Sequence, residues 1–436
     1  MAHRPDGMPL QAMIDDALAH TAPGRCVWVA LSGGLDSSLL LALAVDACRR
    51  HPRPLRALHV HHGLQAAADD FEGHCRVLCE RLGVALRVTR VEVDRVNGQG
   101  LEGAAREARY AAFLRHVAAG ESLWLAQHRD DQAETLMLAA LRGSGVRGLA
   151  AMPAERDWQG RRLLRPLLDI PRARLEADAA RRGLAWTEDP SNAECDQDRN
   201  YLRHAILPRL AERWPQAGRS LSRSAALCGE ADGLLAELAG LDLAGLGGDP
   251  GRLSLDGLSR LSAPRRRLLV RHCCERLGLS LPPARRLESL LAQLGARVDA
   301  GVRVAWRGGE ARVWRGHLYL LAPMQALPST WEIEWDERGP LVTPFGRSTT
   351  ALVGPGGGSE TDDLRLRATP RRGGERLRLA GRGRRDLKRL LQELEVPPWR
   401  RERLVVVWSG NAPVAVLDPV DEQWLVLSEG WRASPP

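Results

Sequence analysis

One stretch limits the possible folds more than any other: Cys26-Val-Trp-Val-Ala-Leu-Ser32-Gly-Gly-Leu-Asp36-Ser-Ser38. An apolar run leads into a Ser/Gly turn, and an apolar-periodic segment follows from Leu39 to Cys48. That order predicts a strand, a tight loop and a helix. Gly33 and Gly34 permit positive φ and leave room for a ligand against the backbone. The free N–H groups of the helix's first turn, together with its dipole, make an anion site suited to phosphate. The hydroxyls of Ser32, Ser37 and Ser38 offer further donors. Asp36 is out of place beside a polyanion unless it holds a Mg²⁺ that bridges the phosphates.

Three phosphate loops compete for this pattern. The Walker loop needs a lysine after its last glycine, and the chain's single lysine is Lys388, so a Walker ATPase is excluded. Gly143-Ser-Gly145-Val-Arg-Gly148 matches the dinucleotide fingerprint as a string but follows a predicted helix, not a strand. What remains, Ser-Gly-Gly-x-Asp-Ser, resembles the pyrophosphatase loop of the PP-loop ATP enzymes. Those enzymes cleave ATP between its α and β phosphates and leave AMP on an activated oxygen. The alternative is a Ser/Gly turn with no ligand.

Strands and helices alternate after the loop. Leu55 to Gly63 reads as a second strand, Phe71 to Gly83 as a helix, Val84 to Val93 as a third strand and Leu101 to Ala119 as a helix. Ser122 to Ala126 follows as a fourth strand and Gln132 to Arg142 as another helix. This implies a parallel sheet covered on both faces, with ligands beyond the carboxyl ends of the strands. Three polar clusters fall there: Ser32 to Ser37, His59 to Gly63, and Gln127 to Asp131. His59 and His61 share one strand face and His62 takes the other; no carboxylate or cysteine at ligand spacing supports zinc. Asp131-x-x-Glu134 fits a capping box. Asp130 beside Asp131 suits a metal or an ammonium group. Arg106 and Arg109 share a helix face with Glu102, where a solvated ion-paired face is the alternative.

At 436 residues the chain is long enough for two or three domains. The formal net charge of +8 favours a polyanionic partner, although arginine replaces lysine almost throughout and position has to carry that argument. Eight cysteines include no Cys-x-x-Cys pair. No signal peptide or bilayer-length apolar run is seen, so a reduced, cytoplasmic, soluble protein without a membrane is expected. Asn200 to Leu210 reads as a helix closed by Pro208 and then Pro215. Arg219 to about Leu294 is helical in pattern, and Arg297 to Ala322 alternates as strands. Thr330 to Ser359 is strand-rich and ends in a Gly354-Pro-Gly-Gly-Gly-Ser linker. Arginines then concentrate from Arg371 to Arg389 between turn glycines, favouring phosphate contacts.

Six stretches in order carry a closer match: Ser32 to Ser37, His59 to Leu64, Leu101 to Tyr110, His128-Arg-Asp-Asp-Gln-Ala-Glu-Thr135, Arg142 to Leu149, and Glu188-Asp-Pro-Ser-Asn192 with Arg199-Asn-Tyr-Leu-Arg203. With them the chain resembles the tRNA(Ile)-lysidine synthase family, in its longer bacterial form. The resemblance implies an α/β architecture. Its parts are a Rossmann-like, parallel-sheet PP-loop domain similar to the adenine nucleotide alpha hydrolases (1–215), a mainly helical middle domain (216–330) and a small α+β tRNA-binding domain (345–436).

The reaction it implies has two steps. The carbon-2 oxygen of the wobble cytidine in an isoleucine tRNA with a CAU anticodon is adenylated by ATP, and pyrophosphate leaves. The amine of free L-lysine then displaces AMP, giving lysidine. On this reading Ser32, Gly33, Gly34, Leu35, Asp36, Ser37, Ser38 and His62 hold ATP, with Asp36 on Mg²⁺. Lysine arrives protonated and needs a base, for which His128, Asp130, Asp131 and Glu134 are candidates. Arg106, Arg109 and Arg203 are candidates for stabilising the pyrimidine. Arg371, Arg372, Arg376, Arg384, Arg385, Lys388 and Trp399 are candidate tRNA contacts. The chain departs from the family pattern at His61 (usually Asn), Gln65 (usually Arg) and Gln127 (usually His). A cytidine thiolase or a tRNA-binding scaffold with an inactive nucleotide site are the alternatives, and the choice between monomer and homodimer stays open.

Overall fold

The structure is a computed structural model that describes residues 8–63, 68–93, 100–188, 196–295, 301–336, 339–349, 351–355 and 365–434. Leu64, Gln65, the segment from Asp189 to Asn192, Cys195 and the glycines after Pro355 lie outside the described residues, as does the side chain of Glu102. The chain forms two compact units, 1–236 and 237–436.

The first unit runs α1 (Leu10–Ala19), β1 (Val27–Ala30), α2 (Leu35–Arg50), β2 (Leu55–His61), α3 (Ala68–Leu82), β3 (Ala85–Arg90), α4 (Gly100–His116), β4 (Ser122–Trp124), α5 (Arg129–Leu141) and α6 (Val146–Leu149). A hairpin of β5 (Glu155–Trp158) and β6 (Arg161–Leu164) follows, then α7 (Arg172–Arg181), α8 (Asp198–Tyr201), a π turn (Leu202–Ile206), α9 (Leu207–Arg213) and the start of α10 (Ala217–Gly245). The sheet order is β3-β2-β1-β4-β6-β5, parallel except for β5. Side chains of β1 alternate between two cores, as a sheet covered on both sides requires. Val27, Val29 and Leu31 pack with Leu39, Leu43 and Ile14, while Cys26 and Trp28 pack with Phe113 of α4 and with Val117 just beyond it.

The order has a mechanical consequence. From β1 the chain moves outward through β2 to β3, then crosses back to lay β4 on the other side of β1. The loops after β1 and β4 therefore diverge, and a crevice opens between them at the topological switch point. Pro208 does not close a helix as expected. It sits at the N-terminus of α9, which continues to Arg213, because the wide turn before it removes the need for its missing N–H.

Among the described residues the second unit holds three cores of its own. A four-stranded antiparallel sheet, from β7 (Arg252–Ser254), β8 (Arg303–Trp306), β9 (Gly309–Trp314) and β10 (His317–Leu321), packs on α11 (Leu255–Arg260), α12 (Ala263–Arg276) and α13 (Ala284–Gln293). Three short strands and an opening strand follow: β11 (Ile333–Asp336), β12 (Leu341–Thr343), β13 (Gly346–Ser348) and β14 (Ala351–Val353). The remainder is β15 (Arg365–Pro370), β16 (Arg376–Leu379), β17 (Gly383–Asp386), α14 (Leu387–Glu393), α15 (Pro398–Arg401), β18 (Val405–Ser409), β19 (Ala412–Asp418), β20 (Gln423–Leu427) and β21 (Arg432–Ser434). Its five-stranded sheet, β11-β15-β18-β19-β20, buries Val405, Val407 and Leu417 on one face. Val406 and Val416 face the other way, against Leu377, Leu387 and Leu391.

A fully buried carboxylate holds the end of this sheet. Asp418 accepts from Arg403 Nη2 at 2.8 Å and Arg400 Nη2 at 2.7 Å. Burial alone pushes its pKa up, but the Arg403 and Arg400 guanidiniums outweigh that and hold it below the ordinary carboxylate range. A lowered folded-state pKa means the unfolded chain binds the proton more tightly. The stability this gives is complete above the unfolded value and is lost as pH falls through the folded one. Asp418→Asn, which leaves Arg403 buried with its charge weakly compensated, is expected to destabilise the second unit by about 3 kcal/mol. The measurement is denaturant unfolding at neutral pH. Repeating it towards pH 3 should shrink the gap between variant and parent.

Candidate active site

The loop after β1 closes on itself. Ser37 Oγ accepts from Ser32 N at 3.1 Å, lies 3.0 Å from Ser32 Oγ and donates to the Gly34 carbonyl at 3.1 Å. Gly33 takes φ +93° and Gly34 caps α2 in an extended conformation. The turn is anchored from outside by Thr187 N, which donates to the Gly33 carbonyl at 3.0 Å. The first turn of the 16-residue α2 is left pointing into a cavity of about 560 Å³, lined by Ser32, Gly34, Asp36 and Ser37 on one side and His62, Arg109, Gln127 and His128 on the other. A second cavity of about 1110 Å³ also has Ser32, Gly34, Asp36, Thr187 and Arg203 in its wall, and extends past Asp130, Glu134 and Trp186 to Arg219. Two cavities that share this wall offer room for two substrates against one set of groups.

The N-terminus of α5 faces that of α2 across the switch point. His128 is the N-cap of α5, and its N–H donates to Asp131 Oδ2 at 3.0 Å. The capping box is therefore His128 with Asp131, not Asp131 with Glu134: the helix begins three residues earlier than the apolar pattern suggests. This frees Glu134 to turn inward, where it is fully buried. Arg199 Nε donates to it at 2.7 Å and Arg203 at 2.6 Å and 3.0 Å, while Arg203 Nη2 also reaches Asp131 Oδ1 at 3.1 Å. The π turn begins beside these arginines. Arg199 is a site residue that was missed in the sequence; its i,i+4 spacing from Arg203 was the available signal.

His128, almost fully buried, sits among three carboxylates: Asp130 at 3.4 Å, Asp131 at 3.5 Å and Asp36 at 3.8 Å. Burial alone lowers its pKa, but those carboxylates outweigh it and hold the imidazole above its ordinary value. Burial raises the pKa of Asp36, against the pull of His128 and Arg172, and its Oδ1 has no hydrogen-bond partner among the described residues. Asp130 is lowered overall: burial raises it, but His128 and the Arg172 N–H, 2.8 Å away, prevail. His62 lines the first cavity with its pKa lowered to about 4, mainly by burial and then by Arg109, so it is neutral at physiological pH.

Several expected residues lie elsewhere. Ser38 is buried at 1 % exposure and lines neither cavity; its N–H is spent on the Gly34 carbonyl. Arg106 does not reach the cavity, because its guanidinium lies over the Tyr110 ring at 5.1 Å. Arg109 does line it. His61 pairs with Asp69 at 3.1 Å, and the nearby Glu72 is already held by Arg76 and Arg90. Their ligand atoms lie within metal-binding reach of one another, but those arginines already compensate the acid.

In the second unit, Arg376, Arg384, Arg385 and Lys388 are exposed and have no ion-pair partner among the described residues. Arg378 and Arg384 are cross-strand partners on the β16–β17 hairpin. Arg372 pairs with Glu332 at 2.9 Å, and the Arg371 side chain turns towards buried Glu375, which accepts from the N–H groups of Arg372 and Gly373. Trp399 is only 5 % exposed. Its ring packs 5.1 Å from Tyr319 and 6.2 Å from Trp314, with Arg312 over it, so it is not free to stack on a nucleotide.

Comparison with known proteins adds the following. A PP-loop domain profile matches residues 8–210, a TilS substrate binding domain profile 253–319 and a TilS substrate C-terminal domain profile 366–432. The chain is 45 % identical over 440 residues to the tRNA(Ile)-lysidine synthase of Alkalilimnicola ehrlichii, covering 99 % of this chain and 98 % of that protein. It is 44 % identical to the protein of that name from Xanthomonas axonopodis pv. citri, covering 92 % and 91 %. It is also 44 % identical to the one from Pseudomonas aeruginosa, covering 98 % and 97 %.

The loop itself yields a prediction independent of any substrate's identity. A Cβ on Gly33 would lie 3.1 Å from Phe71 Cδ1 and 3.3 Å from Cys75 Sγ, at a φ that L side chains rarely adopt. Gly33→Ala is expected to cost about 1–3 kcal/mol of stability and to displace the α2 N-terminus. Thermal melting and calorimetric titration with ATP check it; an unchanged affinity would remove the loop from nucleotide binding.

Proposed function

The chain belongs to the tRNA(Ile)-lysidine synthase family, and from that membership and the geometry of the crevice we infer an ATP-dependent ligase that forms lysidine on the isoleucine tRNA. One observation carries the reading: the phosphate-type loop of β1 and the acidic N-terminus of α5 open onto the same cavity. The finer parts are our proposal. ATP fills the smaller cavity with its β and γ phosphates at the α2 N-terminus, where the N–H groups and helix dipole favour the departing pyrophosphate. Asp36 Oδ1, buried and unpartnered, fits a Mg²⁺ ligand, and the ion when bound would neutralise charge on the phosphates. The wobble cytidine of the CAU anticodon and the free lysine enter through the larger cavity.

The site's own groups narrow the choice of base for the lysine amine. Glu134 accepts from two guanidiniums inside the protein, so it orients Arg199 and Arg203 and does not take the proton. Asp131 is bound by the His128 N–H and by Arg203. The proton acceptor is then drawn from His128 and Asp130. Arg203, held by both acids, presents its charge at the wall common to both cavities, where the adenylated pyrimidine would lie.

Sulfur transfer is not favoured. Burial pushes the Cys75 and Cys273 thiols up to about 12 and Cys26, Cys79 and Cys274 to about 11, far from thiolate chemistry. No described helix is long and apolar enough to cross a membrane, and we place the enzyme with its tRNA in the cytoplasm. We read 1–215 as the catalytic domain, 216–330 as a substrate-binding domain and 345–436 as a tRNA-binding domain, in a monomer or homodimer.

Incubating parent protein with isoleucine tRNA, ATP and labelled lysine should give lysidine by mass analysis of the anticodon nucleoside. Asp36→Ala should abolish tRNA-dependent pyrophosphate release; retained release would break the assignment of the α2 turn. For the RNA face, Arg384→Glu with Arg385→Glu should weaken tRNA binding. The slope of log affinity against log salt should flatten by about 1.4–1.8, since each of the two lost phosphate contacts removes about 0.7–0.9. A parallel shift with no change of slope would place the phosphates elsewhere.

A further inference from the structure

Gln127 stands where the family pattern has histidine, and its surroundings fix which way its amide points. Arg165, following β6, is 3 % exposed. Its guanidinium donates to neutral oxygens: Nε to Gln127 Oε1 at 2.6 Å, and Nη1 to the Pro153 carbonyl at 2.7 Å. A guanidinium has no acceptor, so the oxygen of Gln127 must face it and the NH₂ must turn the other way. Among the described residues that nitrogen has no hydrogen-bond partner, and Gln127 lines the smaller cavity.

The cavity lining says what the free donor faces. β1 and β4 pair in parallel up to Val29 and Trp124, and the loops that leave them bring Ser32 and Gln127 to the wall of the same cavity. The amide thus shares that cavity with the phosphate loop. With the β and γ phosphates on the α2 N-terminus, the next phosphate along the nucleotide is the α.

We propose that Gln127, oriented by Arg165, is a catalytic hydrogen-bond donor to a non-bridging oxygen of the α-phosphoryl group during adenylation. This rests on the reading of the crevice as an adenylating site. The bond from the α-phosphorus to its leaving oxygen breaks, that oxygen keeps the electron pair and departs in pyrophosphate, and a bond forms from phosphorus to the cytidine oxygen. Gln127 transfers no proton. Its neutral N–H stabilises negative charge that gathers on the phosphoryl oxygens, from a position already fixed before the substrate arrives. Arg165 is a positioning residue: it touches the amide and not the nucleotide.

The test is steady-state, tRNA-dependent pyrophosphate release by the full-length enzyme. Gln127→Ala should lower kcat by about 100–1000-fold, the range for losing one preorganised donor, with KM for ATP within about 3-fold, as expected for an interaction made in the transition state. Gln127→His, which keeps a donor, should return to within about 5-fold of the parent. Gln127→Glu has the same size and can pair with Arg165, so it keeps the fold while turning an acceptor towards the phosphate. It should be at least as slow as Gln127→Ala, with an unchanged melting temperature. Parent-like kcat in Gln127→Ala or Gln127→Glu, a loss confined to KM, or no recovery in Gln127→His overturns the proposal. If the parent itself releases no pyrophosphate, the adenylating reading fails first; if the parent is active and only the Gln127 results disagree, this inference alone falls.

Discussion

The parallel pairing of β1 with β4 is the constraint from which the site follows. Neither strand is long, and their register is set by three residue pairs. Because the chain leaves these neighbours in opposite directions, α2 and α5 begin side by side. Each start carries unsatisfied N–H groups and the positive end of a dipole. The sequence places an acid in the first turn of both: Asp36 in α2, and Asp130 and Asp131 in α5. A backbone field that attracts anions is thus set beside side chains that attract cations. A substrate that is both polyanion and metal carrier, followed by one bearing an ammonium group, answers to both.

Charge burial then fixes the geometry. Glu134 has no access to water, and leaving it without Arg199 and Arg203 would be costly. The same arginines reach Asp131, and Asp131 reaches back to the N-cap of α5. Carboxylates read in the sequence as chemical groups therefore divide. Asp131 and Glu134 hold the frame, while Asp36 keeps an open oxygen. Arg165 works on a neutral amide: a buried cation decides which atom of Gln127 is presented to the cavity.

The loop, the alternation of strands and helices, and the convergence of polar clusters at the carboxyl ends were legible in the sequence because each depends on local pattern. Family resemblance supplied the reaction, which no spacing could have given. What stayed hidden depends on tertiary context. The start of α5 was misplaced because His128 is an unusual N-cap residue, and the capping box shifted with it. The β5–β6 hairpin, rich in arginine, carries no clean alternation, although β6 extends the parallel sheet. Arg106 and Arg109 are a helical turn apart, and only packing decides that one covers Tyr110 while the other enters the cavity. Trp399 was a candidate tRNA contact through the family resemblance, but its ring packs against Tyr319 and Trp314 with Arg312 over it.

The π turn from Leu202 to Ile206 has one more consequence. A helix advances about 100° per residue, and a wide turn absorbs one residue without breaking the rod. It therefore sets the angular phase between Arg199, which precedes it, and everything downstream in α9. Shortening the chain there by one residue would restore a regular helix and rotate the two halves against each other. The fork gripping Glu134 would then lose its aim, so this stretch, Arg203 and His204 apart, should tolerate replacement far better than deletion.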